Sequence, residues 1–433
     1  MPRIVLAPVG SLGDLHPSLA LARELSRRGH VVIVATHPGY RARVEAAGVG
    51  FAPVRPDLGD GGKLAETMEH AMHERRGSEY VVRELVLPHL RDSYADLLAA
   101  CAGADAIVSH LLSFAAPIVA ERLGLPRFAQ LLQPVAMLSA HDPGVWSALP
   151  APRWFSRRGP AVWRVLWGLS RRASRPWFRP VDALRADAGL PPSAAHPLFD
   201  GFSPELNLAS FPAVLAPPQP DWPPHTVVTG ACVYDRDERG AGLPPAVAEF
   251  LDRGEPPVAF SLGSSGVWDP GLFYEAAGAA CAALGVRGVL LVGPEPRGVP
   301  WPLPSGVIAV DYAPHGELFP RAAVIVHHGG IGTTAQALRA GRPMVIVPYS
   351  HDQPDNAWRC ERLGVARVVP RRALTADRLT VALHQALGDR RMAASAMDVG
   401  RTVRAEDGAH TAADAIEHAL APHVAGLGAT ASR

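Results

Sequence analysis

Short β-branched apolar runs alternate with helical stretches from the first residues of this chain, and a parallel sheet covered by helices is the architecture that accepts such a pattern. Residues 4–7 read as a strand, 8–14 as a glycine-containing loop, 17–28 as a helix closed by Gly29, and 31–35 as the next strand. Residues 106–109 and 128–132 repeat the strand signal around a helix that ends near Gly124. The alternation restarts with a strand at 258–262, a loop at 263–266, a helix to Leu284, and strands at 289–292, 307–310, 324–326 and 344–347. Between the two series lies a proline-dense stretch, PAVLAPPQPDWPP at 212–224, which resists helix and central strand and suits a stiff linker. The expected fold class is therefore α/β: two Rossmann-like, doubly wound parallel-sheet domains facing across a cleft, where a ligand belongs by default. The expected boundaries are 1–215 for the first domain, 216–226 for the linker and 227–405 for the second domain, with a C-terminal helix at 406–425 free to pack back on the first domain and a tail at 426–433.

Charge and cysteine usage narrow the function classes. The chain carries 42 Lys and Arg against 41 Asp and Glu, so no long-range field draws a polyanion and nucleic acid is not an expected partner. Cys101, Cys232, Cys281 and Cys360 are too widely spaced for a metal-ligand pair or a disulfide framework, which fits a reducing, cytoplasmic setting. The most continuous apolar run, 106–120, is bounded by Asp105 and Glu121 and interrupted by His110 and Pro117, so it reads as buried strand, loop and helix rather than a membrane span.

The most informative segment is VHHGGIGTTAQALRA at 326–340, an apolar strand that enters a glycine loop and then a helix starting near Thr333. Such a loop offers backbone N–H groups and the positive end of a helix to an anion, with His327 and His328 as added donors and Gly329, Gly330 and Gly332 allowing close approach. The competing reading is a tight turn with a packed histidine pair. The spacing matches neither the dinucleotide fingerprint nor the P-loop. After the next strand, PYSHDQ at 348–353 places Asp352 beside Gln353 at a strand's carboxyl end, where a mixed acceptor and donor pair suits sugar hydroxyls or, read alone, caps a helix. A second loop, Ser261-Leu262-Gly263-Ser264-Ser265-Gly266, follows a buried strand and can lend hydroxyl and N–H groups to a diphosphate.

In this order the residues resemble bacterial members of glycosyltransferase family 1, enzymes of the two-domain GT-B fold that use nucleotide-activated sugars, and the resemblance spans nearly the whole chain. Tyr312-Ala313-Pro314-His315, His328-Gly329-Gly330-Ile331-Gly332-Thr333 and residues 348–353 stand for the three parts of the donor signature of plant relatives. The resemblance implies that Tyr312 stacks on the base, Ala313 bonds it through its backbone, and His315 belongs to the donor site. It further implies that His328, Gly330, Gly332 and Thr333 hold the diphosphate, with Ser264 nearby, and that Asp352 and Gln353 hold the sugar. Gln336 stands where many relatives place a Glu that clamps both ribose hydroxyls, and an amide accepts through one oxygen only.

Gly13-Asp14-Leu15-His16-Pro17 looks like the base-bearing loop of the same family, with Asp14 in the place of the base. A carboxylate there takes the acceptor hydroxyl's proton; alternatively Asp14 caps the following helix. Ser11 and Gly13 lie within reach of a donor phosphate, or Ser11 closes the turn. His110 occupies the place of the plant partner Asp, so Asp14 and His110 form a candidate pair with either as base. Asp235-Arg236-Asp237 has the form of a metal motif but sits in a charged connection, so it reads as solvated, and no metal or cofactor beyond the nucleotide sugar is expected. Residues 151–180 hold eight Arg, four Trp (Trp154, Trp163, Trp167, Trp177) and no acid. A lid over an aromatic acceptor, with Trp163, Trp167 and His16 contacting it, is favoured over contact with an anionic membrane surface or nucleic acid, although two tryptophans four apart on one helical face more often pack against the core. Together these readings imply an inverting sugar transfer to a small hydrophobic acceptor such as a natural product, phenol or sterol. A silent nucleotide-sugar-binding relative and a sugar-nucleotide epimerase or hydrolase are the rivals.

Overall fold

Each series of apolar runs closes into one all-parallel sheet. The computed structural model describes residues 1–57, 61–147, 158–235 and 242–430. The first sheet is built from β1 (Arg3–Ala7), β2 (Val31–Thr36), β3 (Gly50–Pro53), β4 (Ala106–His110), β5 (Arg127–Leu131), β6 (Leu206–Ala209) and β7 (Thr226–Val228), in the order β3-β2-β1-β4-β5-β6-β7. The second holds β8 (Val258–Ser261), β9 (Gly288–Leu291), β10 (Val307–Val310), β11 (Val324–His327), β12 (Met344–Ile346) and β13 (Ala366–Val368), in the order β10-β9-β8-β11-β12-β13. The helices that matter for the site are α1 (Leu12–Arg27), α2 (Ala116–Leu123), α3 (Pro160–Ser174), α4 (Phe273–Leu284), α5 (Ile331–Ala340), α6 (Gln353–Arg362) and α7 (Gly408–Thr430). Strand order reverses between β1 and β4, where Ala7 pairs with Ser109, and between β8 and β11, where Ser261 pairs with His327. Loops at the carboxyl ends of such neighbours diverge and leave a crevice. Among the described residues no helix is long and apolar enough to cross a membrane.

Three expectations need correction. The first helix begins at Leu12, not at 17, because Ser11 caps it; Gly13 and Asp14 therefore lie in its first turn rather than in a loop. Pro17 is accommodated inside the helix, leaving the Gly13 carbonyl without the N–H donor four residues on. The proline-dense stretch does not join the two sheets. It connects β6 to β7, and Leu208 pairs with Val227, so the first sheet continues through Val228 and the crossing to the second sheet comes afterwards. A three-residue strand after the prolines carries too little apolar pattern to reveal itself. The expected loop at 263–266 is a single helical turn.

The chain returns to its start. On α7, Ala412, Ala413, Ile416 and Leu420 join the buried cluster of Leu15, Leu19 and Leu25 from α1. Glu417 accepts from Arg28 and pairs with His30, both at 2.8 Å. A second tie runs between the domains. Arg359 of α6 is 2% exposed; its Nε donates to Asp355 Oδ2 at 2.7 Å, and its Nη1 bonds Asp142 and the Leu215 carbonyl, both from the first half of the chain. Asp355 Oδ1 in turn accepts from the Val145 N–H at 3.0 Å. Gly144, at φ +71°, is required here, since a Cβ would lie 2.6 Å from that oxygen. Removing one member of a buried ion group strands the others at a cost of about 3–5 kcal/mol. Arg359→Met is expected to lower stability by about that amount in equilibrium urea unfolding, and a loss below about 1 kcal/mol would show that the cluster does not hold the domains.

Candidate active site

The first-domain half of the site grows from the start of α1. Ser11 Oγ accepts from the Gly13 N–H at 3.1 Å, while Asp14 Oδ2 accepts from the Ser11 N–H at 2.8 Å, so the two side chains cap the helix reciprocally. Gly10, at φ +135°, passes so close that any Cβ would collide with the Asp14 carboxylate. Asp14 Oδ1 is left facing His110 Nε2 at 3.7 Å. His110 ends β4 and is 8% exposed; burial holds its pKa below the usual imidazole value, with the Asp14 charge opposing. Its Nδ1 accepts from the Leu112 N–H at 3.4 Å, which leaves the proton of the neutral ring on Nε2, directed at Asp14. The structure thus brings Asp14 and His110 together, with the half-buried carboxylate as the more accessible of the two.

Sequence reading missed a second imidazole at this place. His351 comes from the second domain and sits at φ +56°, a left-handed conformation uncommon outside glycine. Its Nδ1 lies 2.9 Å from Ser78 Oγ of the first domain, and burial depresses its pKa while Asp14 acts in the opposite sense. Only its place between Ser350 and Asp352 hinted at a role.

The second-domain half is organised by the N-terminus of α5. His328 packs between two glycines: a Cβ on Gly263 would lie 2.6 Å from its Cε1, and one on Gly330 would collide with its Nε2. Burial pushes its pKa down to about 4, so the ring is neutral near pH 7, and its buried Nδ1 has no partner. A Cβ on Gly332 would meet nothing within 4 Å, which leaves open space over the helix start, and Thr333 is buried beside it. Ser264 stands in the helical turn after β8 that adjoins His328. His327 does not serve as a donor here. It is fully buried, its Nδ1 accepts from the Gly329 N–H at 3.1 Å, and its Nε2 lies against Met344 Sδ.

At the far end of the pocket Tyr312 donates its hydroxyl to Asp235 at 3.4 Å, and Ala313 is buried beneath it. His315 stacks on Phe319 at 4.2 Å, meets Ser261 Oγ through Nε2 at 3.3 Å, and is pushed by burial to a pKa of about 4. Asp235 is not the solvated residue expected, because His315 and Gly316 N–H groups both donate to it; Arg236 and Asp237 lie outside the described residues. Asp352 accepts from Asn356 Nδ2 at 2.6 Å, and burial raises its pKa to about 7, the Asp14 charge adding to the effect. Gln353 Oε1 accepts from the Tyr349 and Ser350 N–H groups, at 2.9 and 3.2 Å, so its amide nitrogen is the end available to a ligand.

The expected acceptor contacts divide differently. Trp163 is 2% exposed and packs on Trp167 at 5.1 Å, which in turn meets Trp146 edge-on at 5.0 Å, so this aromatic cluster fastens α3 to the domain. Trp154 lies outside the described residues. His16 lies 5.5 Å from the Tyr234 ring, and burial pushes its pKa to about 4, with Arg43 and His315 contributing; it belongs near the domain crossing. Among the described residues no group of three or more His, Cys, Asp or Glu is placed to hold a metal ion.

Known proteins place this arrangement. Residues 4–141 match the glycosyltransferase family 28 N-terminal domain, and residues 296–417 match the C-terminal domain of erythromycin biosynthesis protein CIII-like proteins. An O-mycaminosyltylonolide 6-deoxyallosyltransferase of Streptomyces fradiae is 34% identical over 96% of this chain and 97% of its own length. A sterol 3-beta-glucosyltransferase of Cryptococcus neoformans is 30% identical over 96% of this chain, which spans only 27% of that larger protein. Among solved structures, the kitacinnamycin glycosyltransferase superposes with a TM-score of 0.69 at 28% identity, covering 97% of this chain and 100% of that one. VinC, a glycosyltransferase solved in complex with dTDP, gives 0.67 at 22% identity over 97% and 100%. With its two parallel sheets and its carboxylate and glycine loop facing one crevice, the chain belongs to glycosyltransferase family 1 and has the GT-B fold.

Proposed function

We propose that this glycosyltransferase moves a sugar from a UDP- or TDP-sugar to a hydroxyl of a small hydrophobic acceptor, with inversion and without a metal. The observation that carries the reading is the neutral His328, its buried Nδ1 unpartnered at the open N-terminus of α5, in a second-domain site whose Asp352 and His351 feel the charge of Asp14 from the first. A diphosphate seated over Gly330, Gly332 and Thr333 receives backbone N–H groups and the helix dipole, and His328 adds a hydrogen bond as charge develops on the leaving oxygen. Asp352 and the Gln353 amide are placed for the sugar hydroxyls. Asp14 takes the proton of the acceptor hydroxyl, whose oxygen bonds to the anomeric carbon as the bond to the diphosphate oxygen breaks. The Ser11 N–H holds the Asp14 carboxylate while His110 Nε2 faces its other oxygen at 3.7 Å, so in this reading His110 acts through Asp14. Relatives named for O-mycaminosyltylonolide and for sterols support a small hydrophobic acceptor, and the dTDP in the VinC complex supports a thymidine diphosphate donor.

Asp14→Asn retains an oxygen that can accept from the Ser11 N–H, so the helix cap survives while the base is lost. Turnover is expected to drop by about 10²-fold or more with UDP affinity little changed, and activity within a few-fold of the unaltered protein would remove Asp14 from the mechanism. His110→Ala is expected to be milder than Asp14→Asn in kcat; the reverse order would make His110 the base.

His328→Ala is expected to weaken UDP or TDP binding by about 1.5–3 kcal/mol in calorimetry, the worth of a hydrogen bond to a charged group. Gly330→Ala should abolish binding by driving a methyl group into His328. Unchanged affinity in both variants would place the anion elsewhere.

A further inference from the structure

The arginine-rich stretch around α3 takes no part in the proposed transfer. Trp163 and Ser174 face the core, while Val162, Val165 and Leu169 follow at three- and four-residue steps on the opposite side of the helix. Val165 is 63% and Leu169 60% exposed, so this apolar stripe stands open to solvent. Arg172 takes the next step on the same face and is itself exposed, so the apolar surface runs straight into positive charge.

That charge lines a cleft. Arg171, Arg172, Arg175 and Arg179 surround a space of about 710 Å³, with Asp182 as the single acid among its lining residues. Two of the four guanidinium groups are tied: Arg171 Nη1 donates to Asp200 Oδ1 at 2.6 Å, and Arg175 Nη2 to Asp182 Oδ1 at 2.9 Å. Arg172 and Arg179 are exposed and reach no acid among the described residues. Arg175 Nη1 is buried and has no hydrogen-bond partner. A buried guanidinium donor without an acceptor carries a cost that an anionic oxygen relieves. Gly168 lines the same cleft, and a Cβ there would meet nothing within 4 Å, so the way in is open.

Phosphate is the anion that such a set of planar, paired donors suits. A free phosphate would fill the cleft and leave the stripe unused, and a nucleic acid backbone would likewise offer nothing to Val165 and Leu169. A phospholipid surface uses both features, with headgroup phosphates in the cleft and the apolar side chains at the acyl boundary. The eight arginines of 151–180, with no acid among them, extend the attraction to anionic lipid. We infer that α3 and the turn after it form a docking surface for an anionic phospholipid bilayer. No residue of this surface belongs to the donor crevice or to the Asp14 pair, so the inference stands apart from the sugar transfer. A hydrophobic acceptor dissolves in the same bilayer, and docking sets the enzyme where that acceptor accumulates.

Co-sedimentation of the full chain with vesicles tests this, using phosphatidylcholine alone or mixed with an equal part of phosphatidylglycerol. Binding to the mixed vesicles is expected to be about tenfold or more tighter than to the neutral ones, and to weaken as salt rises. Arg172→Gln with Arg179→Gln should weaken it by about tenfold or more, and Val165→Ser with Leu169→Ser by about fivefold or more. In both double variants the thermal midpoint and the affinity for UDP are expected to stay unchanged, since none of the four residues is buried or lies in the donor site. No binding to the mixed vesicles, equal binding to the two kinds, or either double variant binding as the unaltered protein does would overturn the inference. Glycerol phosphate or a short single-stranded RNA that binds while mixed vesicles do not would make the cleft a site for a free phosphate or a nucleic acid, and would overturn it as well. An unaltered protein that binds mixed vesicles but not UDP would remove the donor-site reading and leave the docking surface standing.

Discussion

A buried guanidinium at the domain junction sets the geometry on which the site depends. Arg359 cannot leave water without partners, and those it has come from both sides: Asp355 one turn earlier on α6, and Asp142 with the Leu215 carbonyl from the first half of the chain. The same helix carries Asp352 at its N-cap and Gln353 at its first position. Any rotation of the second domain that moved Asp352 away from Asp14 would therefore have to pull a charged group out of its cage. The cluster spans the domains less than two helical turns from Asp352 and Gln353.

Within that frame the site is made by removal of side chains as much as by their presence. Gly10 clears the approach to the Asp14 carboxylate, and Gly263 and Gly330 clear a slot for the His328 ring. The glycines of the 328–333 segment read from sequence as phosphate-facing; the structure shows that Gly330 also seats a histidine. Such a slot keeps the imidazole dry and neutral, so what it offers an anion is a directed hydrogen bond rather than a charge.

The sheets were legible because their strands are buried on both faces and so read as continuous apolar runs: residues 307–310 match β10 at both ends, and 4–7 and 258–262 miss by one residue. Signals that depend on local composition misled. Pro17 hid a helix that the capping pair Ser11 and Asp14 starts five residues earlier, and the prolines at 212–224 look like a linker although they lie within one sheet. Asp14, His110 and His328 stand out in the sequence because each closes or follows a strand. Asp235 was misread because its partners at 312–316 are about 80 residues away, and the left-handed backbone that aims His351 leaves no mark on residue type.

Two carboxyl groups in one crevice cannot serve the same purpose, and their surroundings separate them. Asp352 is bonded to Asn356, and burial together with the nearby Asp14 charge raises its pKa to about 7. Asp14 accepts from the Ser11 N–H on Oδ2 and turns Oδ1 to His110 Nε2 at 3.7 Å. In the proposed reaction the sugar would lie between the two.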